Sequence, residues 1–98
     1  MINDNINKIK DPHGILVYAF YWEKYLPENA VIDEHWLTVN DGIEEDGGIT
    51  ISNDYHTDTE VFFLASGGIL GKEYDVTCKI RYGIEVDDRT MKIIINNR

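Results

Sequence analysis

The chain has 98 residues and a formal net charge of −9, and 43% of its residues are hydrophobic. This composition predicts one packed domain, because a disordered chain of such charge would hold far fewer apolar residues. The chain contains eighteen acidic residues and only nine basic ones. This excess argues against binding to nucleic acid or to an anionic membrane surface, since both require Lys and Arg. We therefore expect neither kind of partner.

The first ten residues are polar and rich in Asn. They lack the apolar region of a secretory signal, and no run of about 18 apolar residues follows that would span a membrane. We expect residues 1–10 to form a flexible arm, and residues 11–98 to form a single domain that is made and kept inside a cell. The lone cysteine, Cys78, cannot form an internal disulfide, which is compatible with a reducing compartment.

Alternation of polar and apolar residues predicts the clearest strand at residues 74–82. One face of this strand is apolar and carries Tyr74, Val76, Cys78, Ile80 and Tyr82. We expect Cys78 to be a buried thiol, because a reactive thiol needs a cationic and partly open setting.

Five further strands are predicted at residues 14–22, 30–39, 48–52, 59–65 and 89–95. Short turn signals separate them, including one at residues 52–54. Residues 22–26 suggest at most one helical turn, because Pro27 follows at once. Six or seven short strands without a helix predict an all-β antiparallel sandwich or a small barrel.

Three glycines lie close together in the segment "LASGGILGKEY", residues 64–74. Their spacing does not match a phosphate-binding loop, so a corner that needs φ > 0 is favoured. In immunoglobulin-like and fibronectin-like sandwiches, a tyrosine at the start of a core strand bonds back across the preceding corner. Gly71, Tyr74, Val76 and Cys78 have this arrangement, and we interpret them as a tyrosine corner and its strand.

The chain has no pattern typical of a catalytic, cofactor or metal site. His13, His35 and His56 are about twenty residues apart and lack the partners of a zinc motif. We expect surface or loop histidines, although their assembly from a distance stays open. No nucleophile elbow is present, and adjacent carboxylates point to opposite faces of an extended chain. We therefore expect no enzyme and no cofactor.

Acidic residues cluster between the second and third predicted strands, at Asp41, Glu44, Glu45 and Asp46. This segment lacks the alternating oxygen ligands of an EF-hand, so we expect a solvated loop that contacts a partner. A weak ion site made by Asp87 and Asp88 with an aspartate of residues 54–58 stays open. A sugar-binding platform of five aromatic residues stays open as an alternative, although large aromatics at alternate strand positions are more often core: Tyr18, Tyr21, Trp22, Tyr25 and Trp36.

A family resemblance rests on the order and spacing of several short motifs. These are "KDP" at 10–12, Leu16 and Tyr18 leading to Trp22 and Leu26, Trp36, the segment from Ser66 to Thr77, and "DDRT" at 87–90. From residue 10 to residue 98 the chain resembles small bacteriophage and prophage virion proteins described as fibre-tail adaptor proteins. The chain departs from this family at Glu34 and in the acidic loop of residues 40–48. The resemblance therefore supports the fold but does not extend to partner contacts made by these residues.

The resemblance implies an immunoglobulin-like or fibronectin-III-like sandwich of six to seven strands, without catalytic residues. It implies a structural joint in a phage tail or neck, which reaches the virion by assembly in the cytoplasm of the bacterial host. We expect partners among other tail, neck or fibre proteins, and a monomer or weak oligomer when isolated. The alternative is a small module that recognises carbohydrate or a host surface, for which Trp22 and Trp36 would need to be exposed.

Overall fold

The structure is a computed structural model that describes residues 2–40 and 48–97. The described chain forms strands and one 3₁₀ turn at Glu23–Tyr25. The strands are β1 (Ile2–Lys10), β2 (Ile15–Tyr21), β3 (Glu34–Val39), β4 (Ile49–His56), β5 (Glu60–Gly67), β6 (Glu73–Tyr82) and β7 (Glu85–Ile95).

The strands form two sheets, one of four strands in the order β1-β7-β6-β3 and one of three strands in the order β2-β5-β4. Strand β1 runs parallel to β7, and every other pair is antiparallel. Placing the second, fourth and fifth strands in one sheet and the third, sixth and seventh in the other follows the immunoglobulin arrangement. The predicted all-β sandwich is therefore confirmed.

The core lies between the sheets and is filled by alternate residues of each strand. On β6, Tyr74, Val76, Cys78 and Ile80 all point inward and are buried, as the alternation of the sequence predicts. They meet inward residues of β2 and β5, among them Phe20 and Phe63, whose ring centroids are 6.0 Å apart.

Residues 2–10, for which the sequence predicts a flexible arm, form the strand β1. This strand extends the four-stranded sheet by pairing with β7. At its end Lys10 is fully buried, and its ammonium donates hydrogen bonds to the carbonyl oxygens of Asp11, at 2.9 Å, and Gly67, at 2.6 Å. The segment has weak intrinsic strand propensity, but the unpaired edge of β7 supplies hydrogen-bonding partners that override it.

Two local predictions are also corrected. Residues 52–54 do not end a strand, because β4 continues to His56 through an irregularity between Ser52 and Tyr55. Asn53 adopts φ +52° there, a conformation that Asn tolerates better than most residues. The predicted strand at residues 30–39 begins only at Glu34, so the residues before it connect the two sheets.

The glycine cluster turns the chain from β5 to β6. Gly68 has φ +105°, and a Cβ added to it would lie 2.5 Å from Cδ1 of the buried Ile95. Gly71 has φ +87°, and its backbone N–H donates to the carbonyl oxygen of Ile95 at 3.0 Å. Beyond this corner the hydroxyl of Tyr74 accepts a hydrogen bond from the backbone N–H of Ile69 at 3.3 Å. The cluster is thus a corner that Tyr74 closes.

Candidate assembly surface

The outer face of the four-stranded sheet is largely polar, and several of its charged side chains form ion pairs. Lys92 lies 3.1 Å from Glu73 across β6 and β7. Thr77 and Thr90 share a hydrogen bond of 2.9 Å. A surface made of such polar cross-strand pairs is stable when it is exposed to solvent.

The outer face of the three-stranded sheet is largely apolar instead, although Thr50, Ser52, Glu60 and Ser66 also point outward. Inward residues of β2 and β5 alternate with outward ones, and the register places the outward residues side by side. Four outward hydrophobic residues of the sheet are more than half exposed: Ile15 and Val17 of β2 at 66%, Tyr21 of β2 at 62% and Tyr55 of β4 at 55%. We call the following outward side chains the apolar face: Ile15, Val17, Ala19, Tyr21, Tyr55, Phe62 and Leu64.

The sequence of β2 is the origin of this face. All seven residues, "ILVYAFY", are apolar or aromatic, although a strand with one side in water normally alternates with polar residues. Tyr18 and Phe20 point into the core and are buried, whereas Val17 and Tyr21 point outward. A strand that is apolar on both sides is typical of one covered on both sides. The outward side of β2 therefore lacks the cover that its sequence indicates.

Aromatic rings cross the apolar face from β4 to β5. The irregularity in β4 places Tyr55 opposite Phe62, and the two rings stack with centroids 5.0 Å apart and planes inclined by 22°. Tyrosine and phenylalanine are enriched at protein interfaces because they supply large contact areas at low entropic cost. This pair therefore gives the face a rigid aromatic element.

A buried arginine fixes the end of β2 beneath this face. The guanidinium of Arg89 lies over the rings of Tyr25, at 4.4 Å, and Trp22, at 5.1 Å, and donates to the carbonyl oxygen of Tyr21 at 2.6 Å. Burial lowers the pKa of Arg89 from its ordinary value. Stacking on aromatic rings compensates part of the cost of burying the charge. Arg89 thereby fixes the backbone next to the exposed Tyr21.

Two of the three histidines meet between the edges of the two sheets, so the assembly from a distance that the sequence left open occurs for this pair. His35 on β3 and His56 on β4 approach through their Nδ1 atoms at 2.6 Å, and His35 Nε2 lies 2.7 Å from the Asp54 carboxylate. The hydrogen bond from His35 holds the pKa of Asp54 below its ordinary value, against a smaller upward effect of burial. One Nδ1 donates this hydrogen bond and the other accepts it. Together the contacts of His35 with His56 and with Asp54 join the edge strand β3 of one sheet to the edge strand β4 of the other.

Metal ligation receives no support from the part of the chain that the structure describes. Within residues 2–40 and 48–97, no three His, Cys, Asp or Glu side chains are grouped so that they could hold a metal ion. Asp87 and Asp88 lie on β7, whereas Asp54 lies on β4 in the other sheet. The weak ion site left open from the sequence is not assembled from these residues.

The other predicted site residues have separate locations. Gly71 and Tyr74 form the corner, and Val76 and Cys78 follow in the core, where burial raises the pKa of the Cys78 thiol to about 12. The predicted contact residues of the acidic loop lie outside the described residues: Asp41, Glu44, Glu45 and Asp46.

The tryptophans do not form a shared platform. Trp22 is fully buried, whereas Trp36 is 44% exposed on the outer face of the four-stranded sheet. The sequence does not predict the apolar face, because only Tyr21 among these residues stands out there, as one of five aromatic residues that are more often core. The signal that would find it is the unbroken apolar run of β2 at the edge of a sheet.

No helix within residues 2–40 and 48–97 is long and apolar enough to cross a membrane.

A comparison with curated proteins finds no match to the chain. Residues 10–94 match the family described as podophage GP4 fiber-tail adaptor protein gp77, which covers most of the chain and agrees with the resemblance noted from its motifs. The chain belongs to the podophage GP4 fibre-tail adaptor family.

Proposed function

We propose that the protein is a non-catalytic joint of the phage particle that helps attach a fibre to the tail by burying its apolar face against another virion protein. The family supports a role as a phage tail adaptor. The observation that carries the proposal is the contrast between the two outer faces, one of them largely polar and the other largely apolar and open. Contiguous exposed apolar patches on soluble domains are typical of interaction sites.

The chemistry of the described residues supports a binding role over a catalytic one. The thiol of Cys78 is buried and its pKa is raised to about 12, so it is a poor nucleophile. The contact between His35 and His56 lies between two sheet edges and serves a structural purpose. Neither group supplies a reactive atom in an open cleft.

The charge of the chain favours an unlike partner over a second copy. A net charge of −9 makes free copies repel one another, so we expect a monomer or a weak oligomer in isolation. The strands of the three-stranded sheet and the turn between β4 and β5 carry no Lys or Arg but three carboxylates, Asp54, Asp58 and Glu60. A tail or fibre protein whose apolar patch is flanked by Lys or Arg would complement this face.

Binding to particles that lack this protein tests the proposal. Tyr21→Ser combined with Tyr55→Ser removes two exposed rings of the apolar face. Loss of interface tyrosines often costs about 2 kcal/mol each, so binding should fall at least about tenfold. Trp36→Ser is the matched control, because it removes a half-exposed ring from the other sheet, and it should bind as the wild type does. Unchanged binding of the double variant would contradict the proposed interface.

A second candidate function is recognition of carbohydrate or of a host surface. It is favoured by the exposed rings of Tyr21 and Tyr55, since aromatic rings stack on sugars. It is weakened by the burial of Trp22, which leaves Trp36 without its expected partner. Saturable binding to a glycan array that Tyr55→Ser abolishes, together with normal fibre attachment in particles lacking the protein, would favour this candidate over the adaptor.

A further inference from the structure

The four edge strands of the sandwich differ in how they are protected from pairing with another chain. β1 has a register irregularity between Asn3 and Ile6 and carries the exposed Lys8. β4 has its irregularity and the charged Asp54, and β3 is short and begins with Glu34. β2 has a continuous register over seven residues, with no charge, proline or bulge. Natural sheets use such devices to protect exposed edges, and β2 has none of them.

The backbone of β2 presents a regular row of hydrogen-bonding groups to this open edge. The N–H of Trp22 donates to the carbonyl oxygen of Thr59 at 2.9 Å, in continuation of the register between β2 and β5. In an antiparallel ladder, alternate residues bond to the partner strand. Every second residue counted back from Trp22 therefore faces β5. The N–H and C=O groups of Val17 and Ala19 and the N–H of Tyr21 face the open edge instead, whereas the C=O of Tyr21 already accepts a hydrogen bond from Arg89.

A groove lies beside this edge, between β2 and β1. It has a volume of about 680 Å³, and Ile9, Leu16, Val17 and Tyr18 contribute to its apolar lining. Lys8 contributes the single charge among its lining residues. The groove can receive the inward side chains of a strand added to β2, while the outward side chains of that strand would extend the apolar face.

We propose that the free edge of β2 accepts an extended segment of a partner virion protein, which pairs with Val17, Ala19 and Tyr21 and becomes a fourth strand of the three-stranded sheet. The inference rests on the proposed adaptor function. An extended segment is required because only an extended chain can satisfy a row of strand N–H and C=O groups. The segment is apolar on both sides and carries a carboxylate toward Lys8.

Charge selects a partner over a second copy of this chain as the occupant. The β2 strand of another copy carries no carboxylate to meet Lys8. Each copy also brings a net charge of −9, which opposes their approach. Main-chain hydrogen bonds give affinity in strand addition, and the side chains that alternate along the added strand give specificity.

Val17→Pro tests strand addition directly. The substitution removes an N–H that faces the open edge and leaves the ladder between β2 and β5 intact, because proline is tolerated where its nitrogen faces solvent. Binding of purified protein to particles that lack it should fall at least tenfold, with an unchanged circular dichroism spectrum. Val17→Ala is the matched control, since it keeps the N–H, and it should lose less than Val17→Pro.

Hydrogen exchange of the wild type covers the case in which Val17→Pro fails to fold. Binding to the same particles should slow exchange of the Val17, Ala19 and Tyr21 amides at least tenfold and leave those of Tyr18 and Phe20, which already face β5, unchanged. Lys8→Glu should also weaken binding. A dimer of the purified protein that Val17→Pro dissociates would overturn the choice of partner in favour of a second copy.

The outcomes separate this inference from the proposed function. If the Tyr21→Ser and Tyr55→Ser double variant loses binding while Val17→Pro binds as Val17→Ala does, the apolar face stands as the joint and strand addition is wrong. Unchanged exchange at Val17, Ala19 and Tyr21 in the bound state would also overturn strand addition. If all of these variants bind normally, the proposed interface itself fails.

Discussion

The hydroxyl of Tyr74 accepts a hydrogen bond from the backbone N–H of Ile69, 3.3 Å away across the glycine corner. The tyrosine at the start of β6 thus holds the connection that precedes it. Tyr74→Phe keeps the ring in the core and removes only this hydroxyl, so we expect a loss of about 1 kcal/mol in the free energy of unfolding. For a domain of this size, the melting temperature should fall by roughly 4 to 8 °C. An unchanged melting temperature would show that the bond contributes nothing.

The two glycines at this corner permit a separation of backbone strain from steric overlap. Both Gly68 and Gly71 have positive φ, but an added Cβ would meet Ile95 only at Gly68, because nothing lies within 4 Å at Gly71. We expect Gly71→Ala to cost about 1 to 3 kcal/mol through strain alone, and Gly68→Ala to cost more. Urea denaturation of both variants measures the difference. Equal losses would mean that Ile95 moves aside freely.

Removal of the N-terminal strand should destabilise the domain. Deletion of residues 1–10 exposes the edge of β7 and leaves the carbonyl oxygen of Gly67 without the ammonium of Lys10. Loss of the two hydrogen bonds of Lys10 alone should cost about 2 kcal/mol. Thermal unfolding of the shortened and full chains tests this expectation. Equal melting temperatures would restore the picture of a free arm.

The contact between His35 and Asp54 should make stability depend on pH. The hydrogen bond from His35 lowers the pKa of the Asp54 carboxyl in the folded chain. A carboxyl whose pKa is lower folded than unfolded stabilises the protein above its unfolded pKa of about 4, and this contribution is lost as the pH falls through the folded value. The wild type should therefore exceed Asp54→Asn in stability at neutral pH, and the difference should shrink in acid.

Urea denaturation of the two proteins at a series of pH values measures this difference. His13 lies in the turn between β1 and β2, away from this contact, so His13→Asn provides a control that should keep the acid dependence of the wild type. A difference between wild type and Asp54→Asn that stays constant from neutral pH into acid would contradict the role given to His35.

Much of the fold could be predicted from local pattern. The alternation from Tyr74 to Ile80 identified β6 and its buried side, and the glycines identified the corner, because both signals lie within a few neighbouring residues. β1 could not be found in the same way. Its residues favour a loop, and the reason for its pairing is the open edge of β7, which lies more than eighty residues away along the chain.

The candidate site was hidden for a related physical reason. The apolar run of β2 predicts a strand, but whether Val17 and Tyr21 face a neighbour or solvent depends on the order of strands in the sheet. The contact between His35 and His56 joins residues of different sheets, and no local sequence motif predicts it. Sequence alone therefore located the strands better than the surfaces they expose.

The most direct test of the adaptor role is electron cryo-microscopy of particles produced without this protein. We expect tails with few or no attached fibres, and we expect added wild-type protein to restore the fibres. The Tyr21→Ser and Tyr55→Ser double variant should fail to restore them, whereas Trp36→Ser should succeed. Particles that lack the protein and still carry a full set of fibres would contradict the role of the protein as the joint between fibre and tail.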